Sequence, residues 1–134
     1  RGFWDTLEHS TAPIIATHSC CRALCDHPRN LTDEQLKALA GSGGVVGLTF
    51  VPDFIHASTP TIDGLIDHIE HAIEVAGIDH VALGSDFDGG GTLVDDALVF
   101  PQITELLLQR GLTVEHVRQV LGSNHLRILT EVIG

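Results

Sequence analysis

Three short runs along the chain are apolar without polar interruption: Ile14-Ile15-Ala16-Thr17, Val45-Val46-Gly47-Leu48-Thr49-Phe50 and Val81-Ala82-Leu83-Gly84. Runs of this length and composition suit strands buried on both faces, as in a parallel sheet. The segments between them repeat apolar positions at helical spacing. Thr32 precedes Asp33-Glu34-Gln35 as an N-cap signal, Leu36, Leu39 and Ala40 follow on one face, and Gly41 stops the helix. A second helix opens at Thr61 or Asp63 and runs through Leu65, Ile66, Ile69, Ala72, Ile73 and Ala76 to Gly77. Further helices are expected over Arg1–His9, Phe100–Arg110, Val114 to about Leu121 with Thr113 as cap, and Asn124–Ile133.

Strands roughly 30 residues apart with helices between them are βαβ units. A doubly wound open sheet and a (β/α)₈ barrel share this grammar. Three strands are few for a free-standing parallel sheet, whose faces and edges must be covered. The pattern therefore predicts one α/β unit over residues 1–134, the C-terminal portion (about the last three βα units) of a TIM-type barrel with parallel strands. The absence of Met predicts an excerpt or processed product of a longer protein, and three half-covered strands predict a self-associating piece.

Composition narrows the class. The net charge of −11 with only seven Lys and Arg excludes nucleic acid as the natural partner, since phosphate binding needs clustered cations. No apolar run reaches the roughly 18 residues of a membrane span, so membrane attachment finds no support in this segment. Cys20, Cys21 and Cys25 cannot pair evenly, which predicts reduced thiols and a cytoplasmic setting.

Parallel α/β folds bind ligands at the carboxyl ends of their strands. The first strand ends in His18-Ser19 and the third in Gly84-Ser-Asp86-Phe-Asp88-Gly-Gly-Gly91. His18 is either a metal ligand through one ring nitrogen or a hydrogen-bonded imidazole in a polar loop. Asp86 and Asp88 offer an acid or base, or merely a solvated acidic loop. A calcium loop is excluded, because the twelfth position from Asp86 is Ala97. Arg29 either clamps a carboxylate or pairs with Asp26 or Asp33. His68 and His71 flank Glu70 in neither metalloprotease zinc pattern and read as exposed or packing residues. Gly41-Ser-Gly-Gly precedes a strand and cannot be a dinucleotide fingerprint. Ser19 lacks the glycines of a nucleophile elbow.

At these residues the chain resembles a known family. Ala12-Pro-Ile-Ile-Ala-Thr-His-Ser19, Asp26-His-Pro-Arg-Asn-Leu-Thr-Asp33, Gly43-Gly-Val-Val-Gly47, Asp67-His-Ile-Glu-His-Ala-Ile-Glu-Val-Ala-Gly77, His80-Val-Ala-Leu-Gly-Ser-Asp-Phe-Asp-Gly89 and Gly122-Ser-Asn-His-Leu-Arg-Ile-Leu129 are similar to segments of the membrane (renal) dipeptidases, zinc metallopeptidases. The resemblance implies a (β/α)₈ barrel in which two zinc ions per subunit and a metal-bound hydroxide hydrolyse dipeptides. It places a zinc ligand at His18, the substrate-carboxylate arginine at Arg29 with Asn30 assisting, and a proton-transferring carboxylate at Asp86. Asp88 receives no role. The other metal ligands and the oxyanion-stabilising His of the family fall upstream of Arg1, so the fragment alone is expected to be inactive, and the full-length form a homo-oligomer. A related barrel hydrolase of another amide or β-lactam-like bond, and a non-catalytic α/β binding module, are the competing readings.

Overall fold

The computed structural model describes residues 2–89, 91, 93–94 and 96–134. Arg1, where the first helix was expected to begin, and Gly90 of the glycine-rich stretch lie outside the described residues. Strands β1 (Ile15–Ser19), β2 (Val45–Leu48) and β3 (Val81–Leu83) form one parallel sheet in the order β1-β2-β3. Helix α1 (Gly2–His9) precedes the sheet, and α2 (Asp33–Gly41) crosses from β1 to β2. Two helices, α3 (Pro52–Ile55) and α4 (Ile62–Ala76), lie between β2 and β3, and α5 (Phe100–Gln109), α6 (Val114–Arg118) and α7 (Asn124–Ile133) follow.

The expected strands and main helices are present, with shifted ends. The β2 ladder stops at Leu48 because the chain then turns its backbone to the β3 loop: Phe50 N–H donates to the Ser85 carbonyl, and Leu93 N–H to that of Phe50. Thr61, not Asp63, caps α4, its hydroxyl accepting from Gly64 N–H at 3.0 Å. Thr32 and Gln35 close a reciprocal capping box on α2. The left-handed residue ending α2 is Gly43 rather than Gly41. The short α3 went unforeseen, since four residues opened by Pro52 carry no period to detect. The two expected C-terminal helices are one continuous run bent at Gly122 through a π-helical segment, Gln119–Ser123.

Helices α2, α4 and α5 cover one face of the sheet, burying Leu36, Leu39, Leu65, Ile66, Ile69, Ile103 and Leu107 against Val46, Leu48 and Val81. Each fully buried aliphatic side chain contributes roughly 1.5–3 kcal/mol, so α4, with Leu65, Ile66, Ile69 and Ala72 inside, anchors the layer. By contrast α1 buries no residue fully and only rests Phe3 against the core. On the other face Ile15, Val45 and Ala82 pack with Ile128 of α7. Asn124 and Arg127 staple α7 beneath the sheet: the Asn124 amide donates to the Ile78 and Val81 carbonyls, the Arg127 guanidinium to those of Gly43 and Asp79. Leu126, Leu129, Val132 and Ile133 of α7 stay exposed.

The sheet is sharply curled. A Cβ placed on Gly84 would lie 1.8 Å from the Thr17 carbonyl oxygen, and one on Gly47 2.5 Å from the same atom. Two strands that are not neighbours thus touch across the middle one, as barrel curvature requires, and only glycine permits it. Gly84→Ala should therefore lose about 3 kcal/mol of stability, the upper end of the range for overpacked sites. Urea denaturation of the variant measures this, and a loss below about 1 kcal/mol would mean that the strands part freely there.

Candidate active site

The site begins with a misfit in the ladder. Ile15 and Ala16 of β1 stand opposite Val45 and Val46, but Ser19 stands opposite Leu48. Three steps on β1 match two on β2, so one extra residue is inserted at Thr17–His18. Strict alternation from Ala16 would send His18 to the helix-covered face; the bulge turns it to the open face instead. There its Nδ1 lies 2.8 Å from the Thr17 hydroxyl and its Nε2 2.9 Å from Nη2 of Arg29. A guanidinium has only donors, so Nε2 must accept and Nδ1 carries the proton, given to Thr17. The Nε2 lone pair is thereby directed at the Arg29 guanidinium.

Arg29 sits in the loop after β1, which the buried interior braces. Cys21 bridges to Leu31, and Asn30, only 2% exposed, accepts from Cys20 N–H and donates to the Cys25 and Phe54 carbonyls. The Asn30 side chain is thereby spent inside the loop. It braces the loop that carries Arg29, the neighbour it was expected to assist. Cys20, Cys21 and Cys25 are free thiols that donate to the Thr49, His68 and Asp53 carbonyls. Burial pushes the Cys20 thiol up to about 12 and the other two upward as well, so none is a thiolate nucleophile at neutral pH.

The ion pairs offered as alternatives for Arg29 are taken by others. Asp26 pairs with Arg22 at 2.7 Å and Asp33 with His71 at 2.8 Å. Arg110 meets Asp63, Asp67 and Glu70, Arg118 meets Glu115, and Arg127 meets Glu131. Among the described arginines, Arg29 alone has no carboxylate partner. Its guanidinium carbon lies 5.5 Å from the ring centroid of Phe54 on α3. Sequence reasoning missed Phe54, and an isolated aromatic in an acidic loop offered no signal.

Asp86 lies on the same carboxyl edge of the sheet, past the end of β3. It is the one non-glycine described with positive φ, 59°, a conformation that Asp tolerates better than most residues. The turn is pinned by Ser85, whose carbonyl accepts from Phe50 N–H and the Thr49 hydroxyl, and by Gly89 N–H on the Asp86 carbonyl. The Asp86 carboxylate folds over Gly89, where an added Cβ would come within 2.8 Å. So His18 and Arg29 are joined directly. Asp86 shares their edge, and among the described residues no hydrogen bond or ion pair links it to either. Asp88 is exposed.

Among the described residues no group of three or more His, Cys, Asp or Glu side chains is placed to bind a metal ion. His18, whose Nε2 accepts from Arg29, is a single imidazole and does not by itself make a site.

Polar at the rim, the unit is a segment of a parallel βα barrel with a guanidinium at its strand ends that has no carboxylate partner among the described residues. The chain belongs to the membrane dipeptidase family (peptidase family M19), which matches residues 1–133. It is 44% identical over 98% of its length to a Klebsiella pneumoniae protein described as an uncharacterized protein in the pqqA 5′ region. It is 37% identical over 94% of its length to dipeptidase verJ of Clonostachys rogersoniana. A metallo peptidase of Rhodobacter sphaeroides, solved with a phosphinate mimic of the dipeptide L-Ala-D-Ala, superposes with a TM-score of 0.90 at 32% identity over 97% of the chain. The chain spans 51%, 33% and 39% of those three, so its fold is a part of their barrel. No helix among the described residues is long and apolar enough to cross a membrane.

His68 behaves as a packing residue. Buried on α4, it accepts from Cys21 N–H through Nδ1 and donates from Nε2 to the Ile55 carbonyl. Burial holds its pKa below the ordinary 6.5, and burial does the same for His125. Below pH 6.5 the unfolded chain therefore takes up protons before the folded one, and stability falls as the pH drops. Urea denaturation at pH 7.0 and 5.5 should show that loss, with His68→Gln flattening it; equal stability at both pH values would contradict the assignment.

Proposed function

We propose that the whole protein is a zinc-dependent dipeptidase and that this chain supplies the part of its site that grips and protonates the substrate. The observation that supports this most is Arg29, which has no carboxylate partner among the described residues. In a chain of net charge −11, an arginine held at the strand ends without an acidic partner keeps its N–H edge free for an anion. A dipeptide presents one at its C-terminus, and a planar fork suits a carboxylate.

Arg29 binds the substrate carboxylate and fixes which peptide bond lies over the mouth. Asn30 keeps that arginine's loop in place. Asp86, at the neighbouring strand end, moves the proton that the leaving amine needs. His18 contributes one zinc ligand through Nε2, the nitrogen that accepts from Arg29 Nη2 in this chain, so zinc binding would release that guanidinium N–H toward the substrate. The metal is shared with ligands from elsewhere in the whole protein. The phosphinate dipeptide mimic bound by the Rhodobacter relative supports the substrate class.

Kinetics of the full-length protein test the reading. Arg29→Met should raise KM for dipeptides roughly ten- to hundred-fold, the worth of a charged hydrogen-bonded pair. Asp86→Asn should lower kcat by roughly 10²- to 10⁴-fold with KM little changed. His18→Ala should weaken zinc binding by at least about 100-fold in chelator competition, beyond the effect of losing an outer contact. Unchanged KM in Arg29→Met would refute the carboxylate grip, and unchanged zinc affinity in His18→Ala would remove the ligand.

A further inference from the structure

We infer that Phe54 is a positioning residue for Arg29, and that through it α3 sets the preference for substrates ending in a free carboxylate. The inference rests on the reading of Arg29 as the carboxylate anchor.

An arginine on an exposed loop has many rotamers, and ordering it on binding costs affinity. Here the ordering is done beforehand. The guanidinium carbon stands 5.5 Å from the Phe54 centroid, inside the roughly 6 Å range of cation–π attraction. The ring is itself packed on both sides: Phe54 is 7% exposed and sits in the main core, and the His27 ring stacks on it at 4.4 Å and 28°. Ring and loop are then tied at three points. His27 accepts from Arg29 N–H through Nδ1 at 3.3 Å, Asn30 donates its amide to the Phe54 carbonyl at 2.7 Å, and Cys25, in the same loop, donates its thiol to the carbonyl of the adjacent Asp53. Any movement of α3 moves the platform and the loop together.

The chemistry explains why an aromatic does this and not an acid. An Asp or Glu at this place would hold the guanidinium more firmly, but by the same N–H edge that a substrate carboxylate needs. A ring attracts the cation through its π face and leaves that edge unspent. His18 holds only Nη2, by a neutral nitrogen. The positive charge is therefore located without being neutralised.

The test uses the full-length enzyme and a pair of substrates, a dipeptide and its C-terminal amide. Phe54→Leu should raise KM for the dipeptide about two- to five-fold, leave kcat within about two-fold, and reduce the dipeptide-over-amide preference by the same factor. Phe54→Tyr, which keeps the ring, should retain the wild-type KM. Ile55→Val, buried on the same helix without touching Arg29, should lower Tm and leave the preference intact. If Phe54→Leu does not fold, Phe54→Met serves in its place. In an Arg29→Met background the Phe54 substitution should add nothing. An unchanged preference in Phe54→Leu, or an equal change in Ile55→Val, overturns the inference while a raised KM in Arg29→Met keeps the anchor reading. An unchanged KM in Arg29→Met overturns both.

Discussion

The imidazole of His68 ties the framework to the site. It lies inside α4, the most deeply anchored helix, and satisfies two backbone groups that belong to different loops: Cys21 N–H after β1 and the Ile55 carbonyl at the end of α3. Buried backbone groups must find partners, and each one left unpaired costs about as much as a lost hydrogen bond. One ring therefore fixes the loop that delivers Arg29 and the helix that delivers Phe54 to the same spot. Cys21 completes the link by donating its thiol to the His68 carbonyl. This network needs a neutral imidazole, so the site's geometry and the acid sensitivity of the fold have one origin.

Charge is distributed so that one cation stays available. The acidic groups near the other arginines are engaged in local pairs, most of them on the surface, where each is worth little in stability. Their more important effect is negative. Asp26 and Asp33, the two carboxylates close enough in sequence to compete for Arg29, are occupied by Arg22 and His71. Arg29 is left to a neutral imidazole and an aromatic face, neither of which cancels its charge.

The segments that carry the family resemblance divide between two tasks. Asn30, His68, His71, Asn124 and Arg127 are staples, each joining elements far apart in the chain or bracing a loop. His18, Arg29 and Asp86 stand at the strand ends. Sequence reasoning treated His68 and His71 as packing or exposed residues, and the former description holds for His68. It placed Asn30 beside Arg29 as an assistant, and the Asn30 amide is buried on two loop carbonyls. Amides and imidazoles serve both tasks, and only the direction of the side chain separates them.

The order of strands and helices, the caps at Thr32 and Thr113, and the rim position of His18 and Asp86 were legible in the chain, because hydrophobic period and capping chemistry are local properties. Three things were not. The bulge that turns His18 to the open face depends on the register of β1 against β2. The freedom of Arg29 depends on which partners its competing acids find, and the place of Phe54 beneath it depends on a four-residue helix fixed from a distance by His68. Each is a contact between residues separated in sequence, decided by how buried polar groups are satisfied once the layers close, and no local pattern encodes that outcome.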